Sequence, residues 1–204
     1  MANLCVFGDS TVWGAWDDVG GWVARLRRYL DIKTDGEMIV YNCGVSGDNT
    51  DDLLERFETE AKAREPGIII ISIGANDSTI NNSRETKGYN GIELDKFKWN
   101  ILQLIKLAGK FTDKIAFVGL MPVDESKTTP LPWNITMSYT NENCKKYNSA
   151  VKEACKDILF IDLFEEWSKL DYKGLLDDGL HPNSKGHEVI FETVKESLEK
   201  NGLL

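Results

Sequence analysis

The stretch Gly67-Ile68-Ile69-Ile70-Ile71-Ser72-Ile73 decides the fold. Strand side chains alternate between the two faces of a sheet, so consecutive isoleucines put β-branched apolar groups on both. A strand buries both faces when helices cover each side, as they do in a parallel sheet of an α/β protein. Outward from this run, four more apolar segments of strand length stand at about 3–8, 38–43, 114–120 and 158–162. Helix-period segments fill the intervals at roughly 20–31, 50–64, 93–110, 140–156 and 184–200. Thr50 or Asp51, and Asn183 or Ser184, are residue types suited to open two of these helices. Regular alternation of strand and helix predicts a three-layer α/β/α sandwich around a central five-stranded parallel sheet, joined by right-handed crossovers.

The 204 residues suit one domain over 1–204, large enough to bury roughly 70% of the unfolded chain's surface. No apolar run reaches the ~20 residues of a membrane helix, so no membrane contact is expected. Met1-Ala2-Asn3 leads straight into a strand-like run, without the basic start or small-residue cleavage pattern of a secretory leader. The expectation is a cytoplasmic protein. A formal net charge of −9 opposes nucleic-acid binding, which needs clustered Lys and Arg. Arg25, Arg27 and Arg28 lie on a helical pattern and read as a solvated helix face. Cys5, Cys43, Cys144 and Cys155 form no C-x-x-C pair and read as reduced structural thiols, with no metal or cofactor implied.

Chemistry gathers where strands end. Gly8-Asp9-Ser10-Thr11 follows the first strand, Asn42-Cys43-Gly44-Val45-Ser46-Gly47-Asp48 the second, and Gly74-Ala75-Asn76-Asp77 the third. Strands of a parallel sheet point one way, so these segments emerge on one edge and share a cleft. Asp177-Asp178-Gly179-Leu180-His181-Pro182 follows the last strand and folds back over the same edge. A nucleophilic serine requires a base, a group orienting that base, and donors aimed at the developing oxyanion. With Ser10 as the nucleophile, His181 and Asp178 fit the first two needs; the backbone N–H of Gly44 and the amide of Asn76 fit the last. His187 falls inside the final helical pattern and reads as structural. Two polar connections, about 77–92 and 121–139, follow strands and are candidate pocket walls. Pro130, Pro132 and Trp133 stiffen the second, as substrate contact or as packed loop.

The set Ser10, Gly44, Asn76 and His181, in that order, resembles the SGNH hydrolases, the GDSL-type esterase/lipase superfamily. The blocks that carry the resemblance are Phe7-Gly8-Asp9-Ser10, Asn42-Cys43-Gly44, Gly74-Ala75-Asn76-Asp77 and Asp178-Gly179-Leu180-His181-Pro182, spanning nearly the whole chain. It implies that Ser10 attacks an acyl carbonyl, His181 takes and returns the proton, and Asp178 orients His181. The N–H groups of Ser10 and Gly44 and the side chain of Asn76 then hold the oxyanion. Thr11 stands where the family usually has Leu, and Asp177 is an alternative orienter if the loop is shifted. Asp9 and Asp77 read as structural.

The activity expected is hydrolysis of a small carboxylic ester or of an acetyl group on a sugar. Trp13, near the nucleophile, is either a wall of the acyl pocket or a packing residue. Lysophospholipase and thioesterase activities remain alternatives, and nothing resembles the apolar lid of a long-chain lipase. From another class, a flavodoxin-like protein would cradle phosphate at Ser10-Thr11 and Ser46–Thr50, against which Asp9 and Asp48 are unfavourably charged.

Overall fold

The structure, a computed structural model, describes residues 2–83 and 91–204. The strands are β1 (Ala2–Gly8), β2 (Met38–Gly44), β3 (Ile68–Ser72), β4 (Ile80–Asn81), β5 (Ile115–Val118), β6 (Met137–Ser138) and β7 (Leu159–Ile161). The helices are α1 (Ser10–Trp13), α2 (Gly21–Lys33), α3 (Thr50–Arg64), α4 (Leu94–Ala108), α5 (Glu125–Thr128), α6 (Asn141–Ala154), α7 (Leu163–Ser168) and α8 (Ser184–Lys200). Five strands form one parallel sheet, as the sequence predicts, and their order is β2-β1-β3-β5-β7.

The isoleucine run of β3 divides between two cores. Ile69 and Ile71, with Cys5, Phe7 and Phe117, face α3, α4 and α6. Ile68 and Ile70, with Leu4, Val6 and Val118, face α2, α7 and α8. All four isoleucines are buried, and each contributes about 1.5–3 kcal/mol through the water it sheds. The register sets Gly8 beside both Gly44 and Ser72, which aligns the carboxyl ends of β1, β2 and β3 on one edge.

Several local expectations are corrected. The N-cap of α3 is Asn49, not Thr50 or Asp51: its side chain accepts from the N–H of Asp51 and Asp52, while the Asp52 carboxylate accepts from the Asn49 N–H. Thr50 instead turns its hydroxyl to the buried Asp77 carboxylate. The two long connections meet, because β4 from one pairs antiparallel with β6 from the other; the part of the first at 84–90 lies outside the described residues. Arg27 is solvated, as expected, but Arg25 is not: its guanidinium is mostly covered and bonds Asp17, Glu188 and Ser184. All four cysteines are buried and free. Among the described residues no helix is long and apolar enough to cross a membrane.

Candidate active site

β1 ends at Gly8, where a side chain would stand 2.0 Å from the Ser72 carbonyl. Asp9 caps the four-residue α1 by accepting from the Thr11 N–H at 3.0 Å. Ser10 therefore occupies the first turn of that helix, nearly buried, with its backbone N–H among those that have no intrahelical partner.

The loop before α8 brings the histidine to it. Gly179 has φ +92°, and a side chain there would meet the Lys127 Cβ at 2.6 Å, so glycine lets the turn dock against α5. His181 Nε2 lies 3.0 Å from Ser10 Oγ across 171 positions of sequence. On the other side of the ring, Nδ1 lies 2.7 Å from Asp178 Oδ2. Asp178 Oδ1 accepts from the N–H groups of Leu180 and His181 at 2.9 and 2.8 Å. Burial works to raise the Asp178 carboxyl, but hydrogen bonds from the ring and backbone of His181 win and hold it well below the usual carboxylate range. Asp177 does not compete. It is exposed, and its N–H and carbonyl serve the loop and Lys127.

The oxyanion-donor pair divides. Asn76 donates from Nδ2 to the Asp48 carbonyl at 2.8 Å and accepts at Oδ1 from the Tyr139 hydroxyl at 2.9 Å, leaving one amide proton uncommitted by these bonds. Gly44, in contrast, donates its N–H to its own neighbour's side chain, Asn42 Oδ1, at 2.9 Å. The position is closely packed, because a Cβ would stand 2.3 Å from the Trp13 nitrogen and 2.9 Å from the Asp9 carbonyl. Three residues on, Gly47 has φ +90° in the exposed loop, and its N–H makes no bond among the described residues.

Three residues join the site without having been singled out as site residues from the sequence. Tyr139, buried in the second long connection, orients Asn76. Arg56 of α3 ties the strand ends together, bonding the Gly8 and Cys43 carbonyls and the Asp48 carboxylate. Trp16 brings its indole N–H within 2.8 Å of Asp178 Oδ2. Trp13 and Trp133 are each more than half exposed, and neither shows a hydrogen bond or ring contact to Ser10, Asp178 or His181 among the described residues.

Burial pushes Asp9 up to about 6 and Asp77 up to about 7. Asp77 receives the Thr50 N–H at both oxygens as well as its hydroxyl, which makes it a tie between β3 and α3. His187 is fully buried and its ring pKa is lowered by that burial; it bonds the Ala15 carbonyl and the Trp22 N–H. Among the described residues no group of three or more His, Cys, Asp or Glu is placed to hold a metal ion. Chemically, the arrangement is a hydroxyl facing an imidazole that is backed by an ionised carboxylate, with an anchored amide on the same sheet edge.

The model of the GDSL-like lipase/acylhydrolase family matches residues 6–189. The chain is 28% identical to a GDSL esterase/lipase of Arabidopsis thaliana, over 98% of this chain and 87% of that one. It is 26% identical to the human isoamyl acetate-hydrolyzing esterase 1 homolog, over 97% of this chain and 82% of that protein. In structure it is similar to a lipase/acylhydrolase of Enterococcus faecalis, with a TM-score of 0.78, 24% identity and coverage of 98% and 97% of the two chains.

Proposed function

The chain belongs to the GDSL-like lipase/acylhydrolase family and is an ester hydrolase, and from that premise we propose that it cleaves small carboxylic esters or acetyl groups through Ser10, His181 and Asp178. The observation that carries this reading is the 3.0 Å approach of Ser10 Oγ to His181 Nε2. Ser10 Oγ bonds to the acyl carbon as its proton passes to Nε2; the proton then goes to the departing alkoxide, leaving an acyl-enzyme. Water attacks that ester with His181 again as base, releasing the acid and restoring Ser10. Asp178 holds Nδ1 protonated, so that Nε2 is free to accept, and stabilises the imidazolium that forms.

For the oxyanion, the donors proposed are the Ser10 N–H, the Asn76 amide and the Gly47 N–H, the last in place of Gly44. The uncommitted N–H of Gly47 supports this, as does the 2.8 Å bond that ties Asn76 to the adjoining Asp48. Trp13 and Trp133 are the proposed walls of the substrate cleft, exposed as such walls must be. A small acyl group is favoured by the human relative, whose name states that it hydrolyses isoamyl acetate. A phosphate-binding reading is disfavoured because the Ser10 hydroxyl is engaged by His181. Four free, buried thiols fit work in a reducing compartment such as the cytoplasm.

Ser10→Ala tests the proposal. Hydrolysis of p-nitrophenyl acetate should fall by about 10⁴-fold or more while the circular dichroism spectrum is unchanged. Turnover near the wild-type rate in that variant rules Ser10 out as nucleophile. A panel of p-nitrophenyl esters and acetylated sugars then reads acyl length.

A further inference from the structure

Trp16 has none of the features of a packing residue. Its surface is 62% exposed, and its backbone is left-handed at φ +61°, a region that bulky residues rarely enter. Such an outlier persists when its surroundings hold it, and here they hold it from both sides. The Ala15 carbonyl, one residue before, accepts from buried His187 Nε2 at 3.0 Å. Asp17, one residue after, is paired with Arg25, which also reaches Glu188 and Ser184 on α8. The segment carrying Trp16 is thus pinned to α8 on each side of the indole.

What this placement achieves is contact with both Asp178 and His181. The indole N–H reaches Asp178 Oδ2 at 2.8 Å, and the ring stands edge-on to the His181 imidazole, with centroids 5.9 Å apart and planes at 86°. With His181 Nδ1 on Oδ2 and the N–H groups of Leu180 and His181 on Oδ1, four donors converge on a carboxylate that has about four lone-pair directions. Indole Nε1 also lies 3.0 Å from His181 Nδ1. When Nδ1 carries its proton, both N–H groups point at the same oxygen. Were Nδ1 bare, the indole could donate to it, and the proton would sit on the wrong nitrogen for accepting from Ser10.

We propose that Trp16 is a positioning residue that acts through Asp178: its N–H completes the donor set of the carboxylate and locks the rotation that keeps Oδ2 on His181 Nδ1. This rests on the reading of Ser10, His181 and Asp178 given above. Among the described residues, Asp9 and His187 interact electrostatically with His181 and Tyr139 does so with Asp178, and Trp16→Phe leaves all three in place.

Trp16→Phe keeps the aromatic bulk and removes the donor. The expected result is a fall in kcat of about tenfold with KM within twofold, because the bond lost is to the carboxylate and not to substrate. In substrate-free enzyme the proton spectrum supplies a second readout: the Nδ1–H resonance of His181 should shift and exchange faster with water than in the wild type. A rise in KM at constant kcat would make Trp16 a substrate wall and overturn the proposal, as would kcat and the Nδ1–H resonance both matching the wild type. Ser10→Ala separates the two claims. Retained turnover in that variant removes the nucleophile assignment, whereas the Nδ1–H comparison of Trp16→Phe with wild type still reports on the Asp178–His181 pair.

Discussion

Replacing Asp178 by asparagine changes one oxygen to an NH2 group, and the surroundings dictate which one. The two backbone donors, Leu180 and His181 N–H at 2.9 and 2.8 Å, require an acceptor at the Oδ1 position, so the amide oxygen goes there and the turn survives. The NH2 must then occupy the Oδ2 position, facing two donors, His181 Nδ1 at 2.7 Å and Trp16 Nε1 at 2.8 Å. His181 relieves the conflict by giving up its Nδ1 proton and accepting from the amide. The ring proton then sits on Nε2, pointed at Ser10 Oγ, where an acceptor is needed. The negative charge that stabilised the imidazolium is lost as well. Together these should lower kcat/KM by about 10³–10⁴, or about 4–5.5 kcal/mol of transition-state stabilisation at ~1.36 kcal/mol per tenfold. The assay is p-nitrophenyl acetate hydrolysis from pH 5 to 9, with thermal unfolding to show that the fold is retained. Asp177→Asn serves as the control and should stay within twofold, since its side chain is exposed. Asp178→Asn within tenfold of wild type, or Asp177→Asn as damaging as Asp178→Asn, would refute the assignment of the orienting carboxylate.

Tyr139→Phe removes the hydroxyl that holds Asn76 Oδ1 at 2.9 Å and frees the amide to rotate. Steady-state kinetics should show kcat reduced by about tenfold, less than the ~10²–10³ expected when an oxyanion donor is deleted outright; an unchanged kcat would detach Asn76 from the oxyanion. Asp77, raised by burial from about 3.8 to about 7, keeps its proton in the folded state where the unfolded chain has lost it. More protons bound to the native form means that this contribution to stability is fully present below about pH 3.8 and is lost as pH rises to about 7. Urea unfolding of wild type and Asp77→Asn should therefore show the wild type losing stability relative to the variant across that window. Parallel pH dependence in the two proteins would mean that Asp77 is ionised throughout.

The sheet was legible because its information is local. Four isoleucines in a row require two covered faces, and the strands and long helices each carry their own period. What escaped notice has no period to read. A four-residue helix such as α1, or the two-residue strands β4 and β6, forms because distant segments meet, and nothing in Ile80-Asn81 names Met137-Ser138 as its partner. The site divides in the same way. Ser10, Asp178 and His181 stood out through residue type at strand and helix ends. Gly44 and Gly47 are two glycines at and just past the end of one strand, and what separates them is which N–H a neighbour consumes. A signal was present: asparagine side chains often bond the N–H two residues on, and Asn42 stands two before Gly44. For Trp16 and Arg25 there was no such signal. Both look like ordinary surface residues of the amino-terminal region, and each finds a partner more than 150 positions away, Asp178 for Trp16 and Glu188 for Arg25, on the loop and helix that also carry His181 and His187. In the proposed mechanism the amino-terminal region supplies both the nucleophile and the brace for its base, and the segment that carries Trp16 is held to α8 through Ala15 on one side and the Asp17–Arg25 pair on the other.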